Sequence, residues 1–297
     1  MKKNENNMFS GKSKAPALFT GAFGLPLNSG LGYANPCMKV IILCGGMGTR
    51  LREETEARPK PMVGIGPMPI LWHIMKGYAH HGFNEFLLAL GYKGEFIKRF
   101  FVDYALMNSN FMVRLASGDL LRQNLSQEDW VVHLVDTGLM TNTGGRMRRL
   151  AGMIGKETFM MTYGDGVSNV DLAELYRFHK KHGKLATVTA VHPPARFGEL
   201  VVSDDPANPR VLNFAEKPQV RQGWINGGFF VLEPQVLDYI DDDNTSWQGE
   251  PMERLAEEGR LMAYRHGGFW QCMDTIRDVE FLQGLWTGGK APWKVWE

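Results

Sequence analysis

Short apolar runs and longer amphipathic segments alternate along most of the chain. The apolar runs are of strand length, like the run at residues 40–43, and they predict strands that are buried inside a sheet. Segments with apolar residues three or four positions apart, such as Ile70, Ile74 and Tyr78, predict amphipathic helices. Because strands and helices alternate, the pattern predicts an α/β fold with a mainly parallel sheet and helices on both faces.

The pattern also gives approximate bounds for these elements. Strands are predicted at residues 40–43, 83–91, 111–116, 130–136, 159–163 and 186–191. Helices are predicted at residues 70–81, 94–107, 143–154 and 171–182. Ligands of such sheets bind beyond the carboxyl ends of the strands, so we expect the functional loops at that edge.

The second half of the chain has a different pattern. Strands predicted at residues 198–202, 210–216 and 228–232 lie close together, which favours antiparallel additions to the sheet. Helices are predicted at residues 251–259 and 276–286. This part of the chain is therefore expected to form a small C-terminal β/α extension.

Three segments stand apart from this pattern. Residues 1–37 are rich in Asn, Ser, Gly, Lys and Pro and predict a disordered leader, which leaves 38–297 as one domain. Pro16 interrupts the leader's short apolar patch, so no signal peptide is predicted. The polar segment 118–128 predicts a flap or an oligomer contact. The tryptophan-bearing tail 290–297 is expected to dock on the body or on a neighbouring subunit.

A glycine-rich turn follows the first predicted strand and carries the first chemical signal. Glycine permits positive φ and close approach of a ligand, and successive N–H groups in such a turn form a concave anion site. Arg50 and Lys60 follow and add positive charge, which suits a triphosphate. Neither the P-loop pattern nor the dinucleotide pattern is present. The predicted contacts are Leu43, Cys44, Gly45, Gly46, Met47, Gly48, Thr49, Arg50 and Lys60.

Two aspartates occupy positions at which a carboxylate can reach a ligand. Asp165 lies between two glycines at the end of the strand predicted at 159–163, and Asp274 lies at a junction between a strand and a helix. Mg²⁺ typically takes one or two protein carboxylates together with phosphate oxygens. Considered singly, Asp165 could instead stabilise a turn, and Asp274 could cap the following helix.

Several polar residues elsewhere have both a functional and a structural interpretation. Lys217 precedes a proline that keeps the backbone extended, but a lone lysine is usually a solvated surface residue. Asn226 and Gly227 could approach a sugar or form an ordinary turn. His73, on a predicted helix with two further histidines, lacks a carboxylate partner at metal-ligand spacing.

A second glycine-containing loop lies at a predicted helix start. Its candidate residues are Thr141, Gly145 and Arg146. N–H groups at a helix N-terminus attract anions or base carbonyls. Arg146 could equally face outward on the helix.

Read together, these motifs resemble those of the sugar-1-phosphate nucleotidylyltransferases. The shared patterns are G-G-x-G-T-R-L, P-K-P, G-D-G, E-K-P and M-D-T, and the resemblance covers residues 38–297. The run P-I-L-W-H-I-M at residues 69–75 is similar to the branch that uses CTP and glucose 1-phosphate. The resemblance implies a Rossmann-like mixed sheet of the nucleotide-diphospho-sugar transferase type.

The resemblance also implies roles for individual residues. Asp165 and Asp274 would hold Mg²⁺, and Lys217 would bind the sugar phosphate. Arg50 and Lys60 would hold the pyrophosphate that leaves. Further substrate contacts are implied at Thr141, Gly145, Arg146, Gly164, Glu216, Asn226 and Gly227.

The implied reaction gives CDP-glucose and pyrophosphate, for dideoxysugar and O-antigen-type polysaccharide synthesis. The alternatives are a related transferase that uses dTTP or UTP, and a nucleotide-sugar sensor without activity. Two departures from the family pattern are Cys44 in place of alanine and Gly66-Pro67-Met68-Pro69 in place of G-G-K-P. The second departure removes a positive charge near the nucleotide.

Composition restricts the remaining classes of function. A net charge of +1 gives no global field that would favour nucleic acid or a membrane surface. The 3 cysteines form neither a disulfide framework nor a metal pattern, which favours a reducing cytoplasm. No apolar run approaches the roughly 20 residues of a membrane-spanning helix. The family resemblance further implies a homo-oligomer, with a hexamer as one form.

Overall fold

The computed structural model describes residues 38–48, 51–122, 128–193, 199–202, 211–215 and 223–297. The predictions for the leader and for Thr49, Arg50, Glu216 and Lys217 therefore lie outside the described residues.

The helices and strands of the described residues have the following bounds. The helices are α1 Arg52–Thr55, α2 Ile70–His80, α3 Gly94–Met107, α4 Thr143–Arg149, α5 Ala151–Ile154, α6 Leu172–His182, α7 Glu250–Glu257 and α8 Ile276–Thr287, with 3-10 turns at Lys60–Met62 and Pro234–Tyr239. The first strands are β1 Lys39–Cys44, β2 Gly64–Ile65, β3 Met68–Pro69, β4 Glu85–Leu90, β5 Phe111–Arg114, β6 Asp119–Arg122, β7 Val131–Asp136 and β8 Phe159–Tyr163. The remaining strands are β9 Gly166–Ser168, β10 Ala186–Val191, β11 Glu199–Val202, β12 Val211–Ala215, β13 Ile225–Asn226, β14 Phe230–Leu232, β15 Leu261–His266 and β16 Trp270–Cys272.

A mixed, mainly parallel sheet lies at the centre of the fold, as the sequence predicts. Its 8 described strands run in the order β13-β10-β14-β8-β1-β4-β7, and β15 pairs with β10. The strands β8, β1, β4 and β7 are parallel neighbours, whereas β14 runs antiparallel to both β8 and β10. The carboxyl ends of β1, β4 and β8 therefore meet at one edge of the sheet.

Strand β1 is central because its apolar run can be buried on both faces. Successive side chains of a strand point to opposite faces. Val40 and Ile42 accordingly join one core layer, which includes apolar residues of α2 and α8. Ile41 and Leu43 join the opposite layer, which includes residues of α4. The glycine loop thus starts from a rigid base.

Several local predictions were wrong. No strand was predicted in the polar segment 118–128, but it contains β6, which pairs with β5 in a hairpin. The single helix predicted at residues 143–154 is divided at Leu150 into α4 and α5. Strand β7 lies at the edge of the sheet instead of being buried, and Val131 is 53% exposed. Strands β9, β15 and β16 were missed because β9 and β16 are short and β15 is only partly buried along its length.

The C-terminal tail docks on the body of the same chain. Trp293 is buried, stacks on Phe269, and donates from Nε1 to Nδ1 of His73 at 3.4 Å. His73 Nε2 lies 2.8 Å from the carbonyl oxygen of Ile65. Burial lowers the pKa of His73 to about 4, so this histidine is a neutral core residue. Within the described ranges, no helix has the length and apolar character that crossing a membrane requires.

Candidate active site

A cleft of about 330 Å³ opens at the carboxyl edge of the sheet, where the sequence places the functional loops. Its lining comes from the glycine loop, the start of α4 and the turns that carry the two aspartates. The lining residues are Leu43, Cys44, Gly45, Gly46, Gly48, Lys60, Pro61, Thr141, Asn142, Thr143, Arg146, Tyr163, Gly164, Asp165 and Asp274. Met47, Gly145, Asn226 and Gly227 are predicted contacts that lie outside this set.

The glycine loop needs glycine at two of its positions. Gly48 has a φ of +63°, and a Cβ there would lie 2.6 Å from Cγ2 of Thr55. The Thr55 hydroxyl donates to the carbonyl oxygen of Gly48 at 3.1 Å, which holds the end of the loop. A Cβ on Gly45 would overlap the guanidinium of Arg146. The loop is therefore packed tightly from below, and Gly46 remains exposed toward the cleft side.

Arg146 supports the loop from beneath. Its side chain is 4% exposed, and Nη1 donates to the carbonyl oxygens of Leu90 at 2.9 Å and Gly138 at 2.8 Å. The same nitrogen donates to Oγ1 of Thr137 at 2.7 Å, and Nη2 donates to the carbonyl oxygen of Gly45 at 3.1 Å. This guanidinium therefore joins the ends of β1, β4 and β7. It does not face outward, and the described contacts that occupy its donors belong to the protein itself.

The start of α4 does not offer its N–H groups to a ligand as the sequence suggested. Gly144 and Gly145 both donate to the carbonyl oxygen of Thr245, at 3.0 and 3.4 Å. The N–H of Thr143 donates to Oδ1 of Asn142, which caps the helix. A Cβ on Gly145 would lie 2.6 Å from the backbone of Asp243. Position 145 requires glycine because the backbone of Asp243 packs against it, and Gly145 does not line the cleft. Thr141 and Asn142 do line the cleft.

The two aspartates are brought together by a short antiparallel ribbon. Asp165 lies in the turn between β8 and β9, and Asp274 follows β16. Strands β9 and β16 pair, with Gly166 opposite Cys272, and the N–H of Met273 donates to the carbonyl oxygen of Asp165 at 2.8 Å. Two acids that are distant in sequence therefore share one side of the cleft.

Lys60 lies between the two carboxylates. Its Nζ is 2.6 Å from Oδ2 of Asp165 and 2.5 Å from Oδ1 of Asp274. Prolines on both sides restrict the backbone at Lys60, whose side chain is 12% exposed. Burial lowers the pKa of Lys60, but the two carboxylates outweigh burial and the pKa is raised overall. The ammonium therefore stays protonated.

This geometry tests whether Asp165 only stabilises a turn and whether Asp274 only caps a helix. The N-cap of α8 is Thr275, which forms a capping box with Asp278, so the Asp274 side chain is not the cap. The Asp165 carboxylate likewise accepts from Nζ of Lys60. Both carboxylates converge on the ammonium of Lys60.

The donor set fits Mg²⁺. Two carboxylates at an open cleft are what Mg²⁺ uses when substrate phosphates complete its coordination. In the described part of the chain there is no group of three or more His, Cys, Asp or Glu side chains that could hold a metal. Burial raises the pKa of both Cys44 and Cys272, so both thiols are protonated beside the acids.

Tyr163 connects the cleft to the predicted sugar-binding turn. Asn226 donates from Nδ2 to the Tyr163 hydroxyl at 3.3 Å, while its Oδ1 accepts from the N–H of Gly228 at 2.9 Å. The carbonyl oxygen of Gly227 accepts from Nε1 of Trp270 at 2.7 Å. Asn226 and Gly227 therefore form a fixed turn beside the cleft. Burial raises the pKa of Tyr163 to about 12, so its hydroxyl remains protonated.

Sequence reasoning missed four lining residues: Pro61, Asn142, Thr143 and Tyr163. Pro61 and Asn142 are immediate neighbours of predicted residues, and Thr143 lies two positions from Thr141 and from Gly145, so a wider window around each motif would have included all three. Tyr163 immediately precedes the G-D-G turn, and its position at the end of β8 was the available signal.

Fold and cleft together define a class of nucleotide-binding transferase: a mainly parallel sheet with a glycine loop, a lysine and paired carboxylates at one edge. The chain matches the Nucleotidyl transferase family over residues 39–271 and belongs to that family.

Comparisons with individual proteins agree with this assignment. The glucose-1-phosphate cytidylyltransferase of Salmonella typhi is 51% identical over 261 residues, which are 88% of this chain and 100% of the relative. The mannose-1-phosphate guanylyltransferase catalytic subunit beta of Xenopus tropicalis is 32% identical, over 84% of this chain and 64% of the relative. The structure of a UDP-glucose pyrophosphorylase from Acinetobacter baumannii has a TM-score of 0.61 at 14% identity, over 86% and 96% of the two chains. That last similarity concerns the fold alone.

Proposed function

We propose that this protein transfers the cytidylyl group of CTP to glucose 1-phosphate, giving CDP-glucose and pyrophosphate. The observation that carries the proposal is the 51% identity to a glucose-1-phosphate cytidylyltransferase over that relative's full length. The cleft supports it, because a glycine loop, Lys60 and a carboxylate pair suit two phosphate-bearing substrates.

The reaction needs no protein nucleophile. A phosphate oxygen of glucose 1-phosphate forms a bond to the α-phosphorus of CTP, and the bond from that phosphorus to the leaving pyrophosphate breaks. Positioning and neutralisation of phosphate charge supply most of the catalysis in such transfers. Lys60 places a protonated ammonium in the cleft. The glycine loop, which follows β1, lines the cleft with its backbone. Arg50 and Lys217 remain predicted phosphate contacts.

We further propose Mg²⁺ as the cofactor, with Asp165 and Asp274 as its protein ligands. When bound, a divalent ion neutralises charge on reacting phosphates. Both acids already converge on the cationic Lys60. They are fixed there by the β9–β16 ribbon rather than by long flexible segments.

Two alternatives differ in what they predict. A related transferase would prefer dTTP, UTP or GTP, and GTP is included because a guanylyltransferase is 32% identical to this chain. A nucleotide-sugar sensor would bind without turnover. The sensor is disfavoured because Lys60, Asp165 and Asp274 are all present and Lys60 contacts both acids.

Pyrophosphate release with glucose 1-phosphate and each of CTP, UTP, dTTP, GTP and ATP tests the proposal. CTP should give the highest kcat/KM, and Asp165→Asn should lower kcat by about two decades or more. The matched control is Asp171→Asn, which alters a helix N-cap away from the cleft and should stay active. Preference for another nucleotide would refute the substrate assignment. Binding of CTP without turnover would favour the sensor.

A homo-oligomer is proposed from the hairpin of β5 and β6. Phe111, Met112, Leu115 and Leu121 are exposed on it, Leu115 at 92%. An isolated two-stranded hairpin is marginal in water, and grouped exposed apolar residues mark contact surfaces. Leu121→Glu should lower the mass measured by sedimentation, whereas Phe281→Glu on α8 should not. An unchanged mass in Leu121→Glu would exclude the hairpin as the contact.

A cytoplasmic location and a role in dideoxysugar or O-antigen-type polysaccharide synthesis complete the proposal. Free Cys44 and Cys272 are compatible with a reducing compartment. Loss of the polysaccharide in a deletion strain, restored by the wild-type gene and not by Asp165→Asn, would support the pathway role.

A further inference from the structure

The carboxylate of Asp278 forms a dense set of hydrogen bonds just behind the cleft. Its Oδ2 accepts from the backbone N–H of Asp274 at 3.0 Å and of Thr275 at 2.8 Å, and from the Thr275 hydroxyl at 2.8 Å. Its Oδ1 accepts from Nε2 of Gln271 at 3.0 Å. One side chain on α8 therefore binds three positions of the segment that precedes the helix.

Helix capping accounts for only part of this arrangement. The reciprocal bonds between Thr275 and Asp278 form the capping box and satisfy the start of α8. The bond to the N–H of Asp274 lies before the N-cap, and the bond from Gln271 reaches back into β16. Gln271 is buried and also donates to the carbonyl oxygen of Cys272. These additional bonds fix the backbone that carries Asp274.

The same backbone is held from the other side by the Asp165 turn. The N–H of Met273 donates to the carbonyl oxygen of Asp165 at 2.8 Å. Asp274 is thus clamped between the Asp165 turn and Asp278, and its Oδ1 arrives 2.5 Å from Lys60 Nζ. Groups that orient a first ligand in this way typically alter metal affinity or activity by about 10–100-fold when removed.

We propose that Asp278 is a positioning residue that holds Asp274 in the orientation needed to bind a divalent cation. This inference rests on the proposed function, in which Asp274 is a metal ligand. Asp278 itself acts through the backbone of Asp274 and need not touch the ion or either substrate.

Asp278→Ala and Thr275→Ala separate positioning from capping. Thr275→Ala removes the N-cap hydroxyl but leaves the Asp274 N–H facing Asp278, so it should lower the melting temperature by a few degrees and leave metal affinity unchanged. Asp278→Ala should weaken Mn²⁺ binding to the nucleotide-free protein by about tenfold or more. The concentration of free Mn²⁺ is measured by electron paramagnetic resonance, and a thermal melt is recorded for each variant. Asp278→Ser takes the place of Asp278→Ala if the latter does not fold.

Asp278→Asn distinguishes hydrogen bonding from charge. Asn retains an oxygen that can accept from Asp274 and Thr275, so it should recover most of the Mn²⁺ affinity. The apparent Mg²⁺ activation constant of the reaction should follow the same order of variants. Equal Mn²⁺ affinity in wild type and Asp278→Ala, or an Asn variant as weak as the Ala variant, would overturn the proposal. Failure of the wild type to bind Mn²⁺ would instead refute the proposed metal site.

Discussion

Replacing Lys60 with methionine should have opposite effects on activity and on metal affinity. Methionine keeps the apolar stem but removes the ammonium that lies 2.6 Å from Asp165 and 2.5 Å from Asp274. Activity should fall because a phosphate-binding cation is lost, roughly ten- to hundredfold in kcat/KM for one charged contact of about 1.5–3 kcal/mol. Metal affinity should rise because the carboxylates are no longer neutralised by the protein.

The effect on stability can be worked from the same contacts. Two charged hydrogen bonds disappear, but Asp165 and Asp274 are partly exposed, so solvent screening reduces their contribution. We expect a loss of about 2 kcal/mol of unfolding free energy without divalent cation, or about 4–8 °C in melting temperature. Mg²⁺ at about 100 times its Kd would return about 2.7 kcal/mol by mass action.

Melting curves with EDTA and with Mg²⁺ measure both effects. The control is Lys39→Met, which removes an ammonium bonded to the carbonyl oxygen of Met153, remote from the carboxylates. Mg²⁺ should raise the melting temperature of Lys60→Met more than that of the wild type or the control. Equal Mg²⁺ responses in all three proteins would refute the reasoning that Lys60 competes with the metal.

The pH dependence of this stability has a definite sign. The pKa of Lys60 is raised in the folded protein, so its contribution is fully present below its ordinary value of 10.5. The contribution is lost only as pH rises through the higher pKa of the folded state. The stability difference between wild type and Lys60→Met should therefore be constant from pH 7 to about pH 10.

Three further predictions concern the rest of the cleft and the leader. Asp165→Asn and Asp274→Asn should each lower kcat by about two decades or more. The double variant should be little worse than either single variant, because one shared ion is lost in every case. Additive losses of kcat, measured in a Mg²⁺ titration, would show that the two acids have separate roles. Arg146→Met should cost on the order of 3 kcal/mol in denaturant unfolding, because buried carbonyl oxygens lose their donor; a wild-type midpoint would contradict this. A chain that starts at Met38 should keep its melting temperature and activity, and a large loss of either would show that the leader docks.

The periodic elements could be predicted well because burial alone decides them. Strands β1, β8 and β10 are buried along nearly their whole length, and helix α3 was predicted with its observed bounds. Elements that tertiary pairing decides were missed. Strand β15 alternates between partly buried and exposed residues and gains its strand conformation by pairing along the whole of β10.

The cleft residues also divide into those that a local motif predicts and those that tertiary contacts decide. Lys60 and Asp165 could be selected locally, because the prolines and glycines beside them restrict where the side chain can point. Asp274 was selected by its place between a strand and a helix and by the M-D-T motif of the family. The family resemblance implied a substrate contact for Arg146, and the residues alone left an outward-facing side chain equally open. Its actual partners lie on the ends of three strands, and nothing in a local window reveals that those ends converge beneath one guanidinium.

Asp278 shows why groups that orient a ligand residue are the hardest to predict. Its sequence context is that of an ordinary capping box: it lies four residues after Asp274 and is the third residue of α8. The decisive bond joins its carboxylate to a backbone N–H, which has no sequence signature of its own. The side chain of Asp274 identifies the chemistry of the site, but its direction is set by the backbone, and the backbone is set by Asp278 and Met273. A variant chosen only from motifs would therefore test the ligand and leave untested the contacts that give it its position.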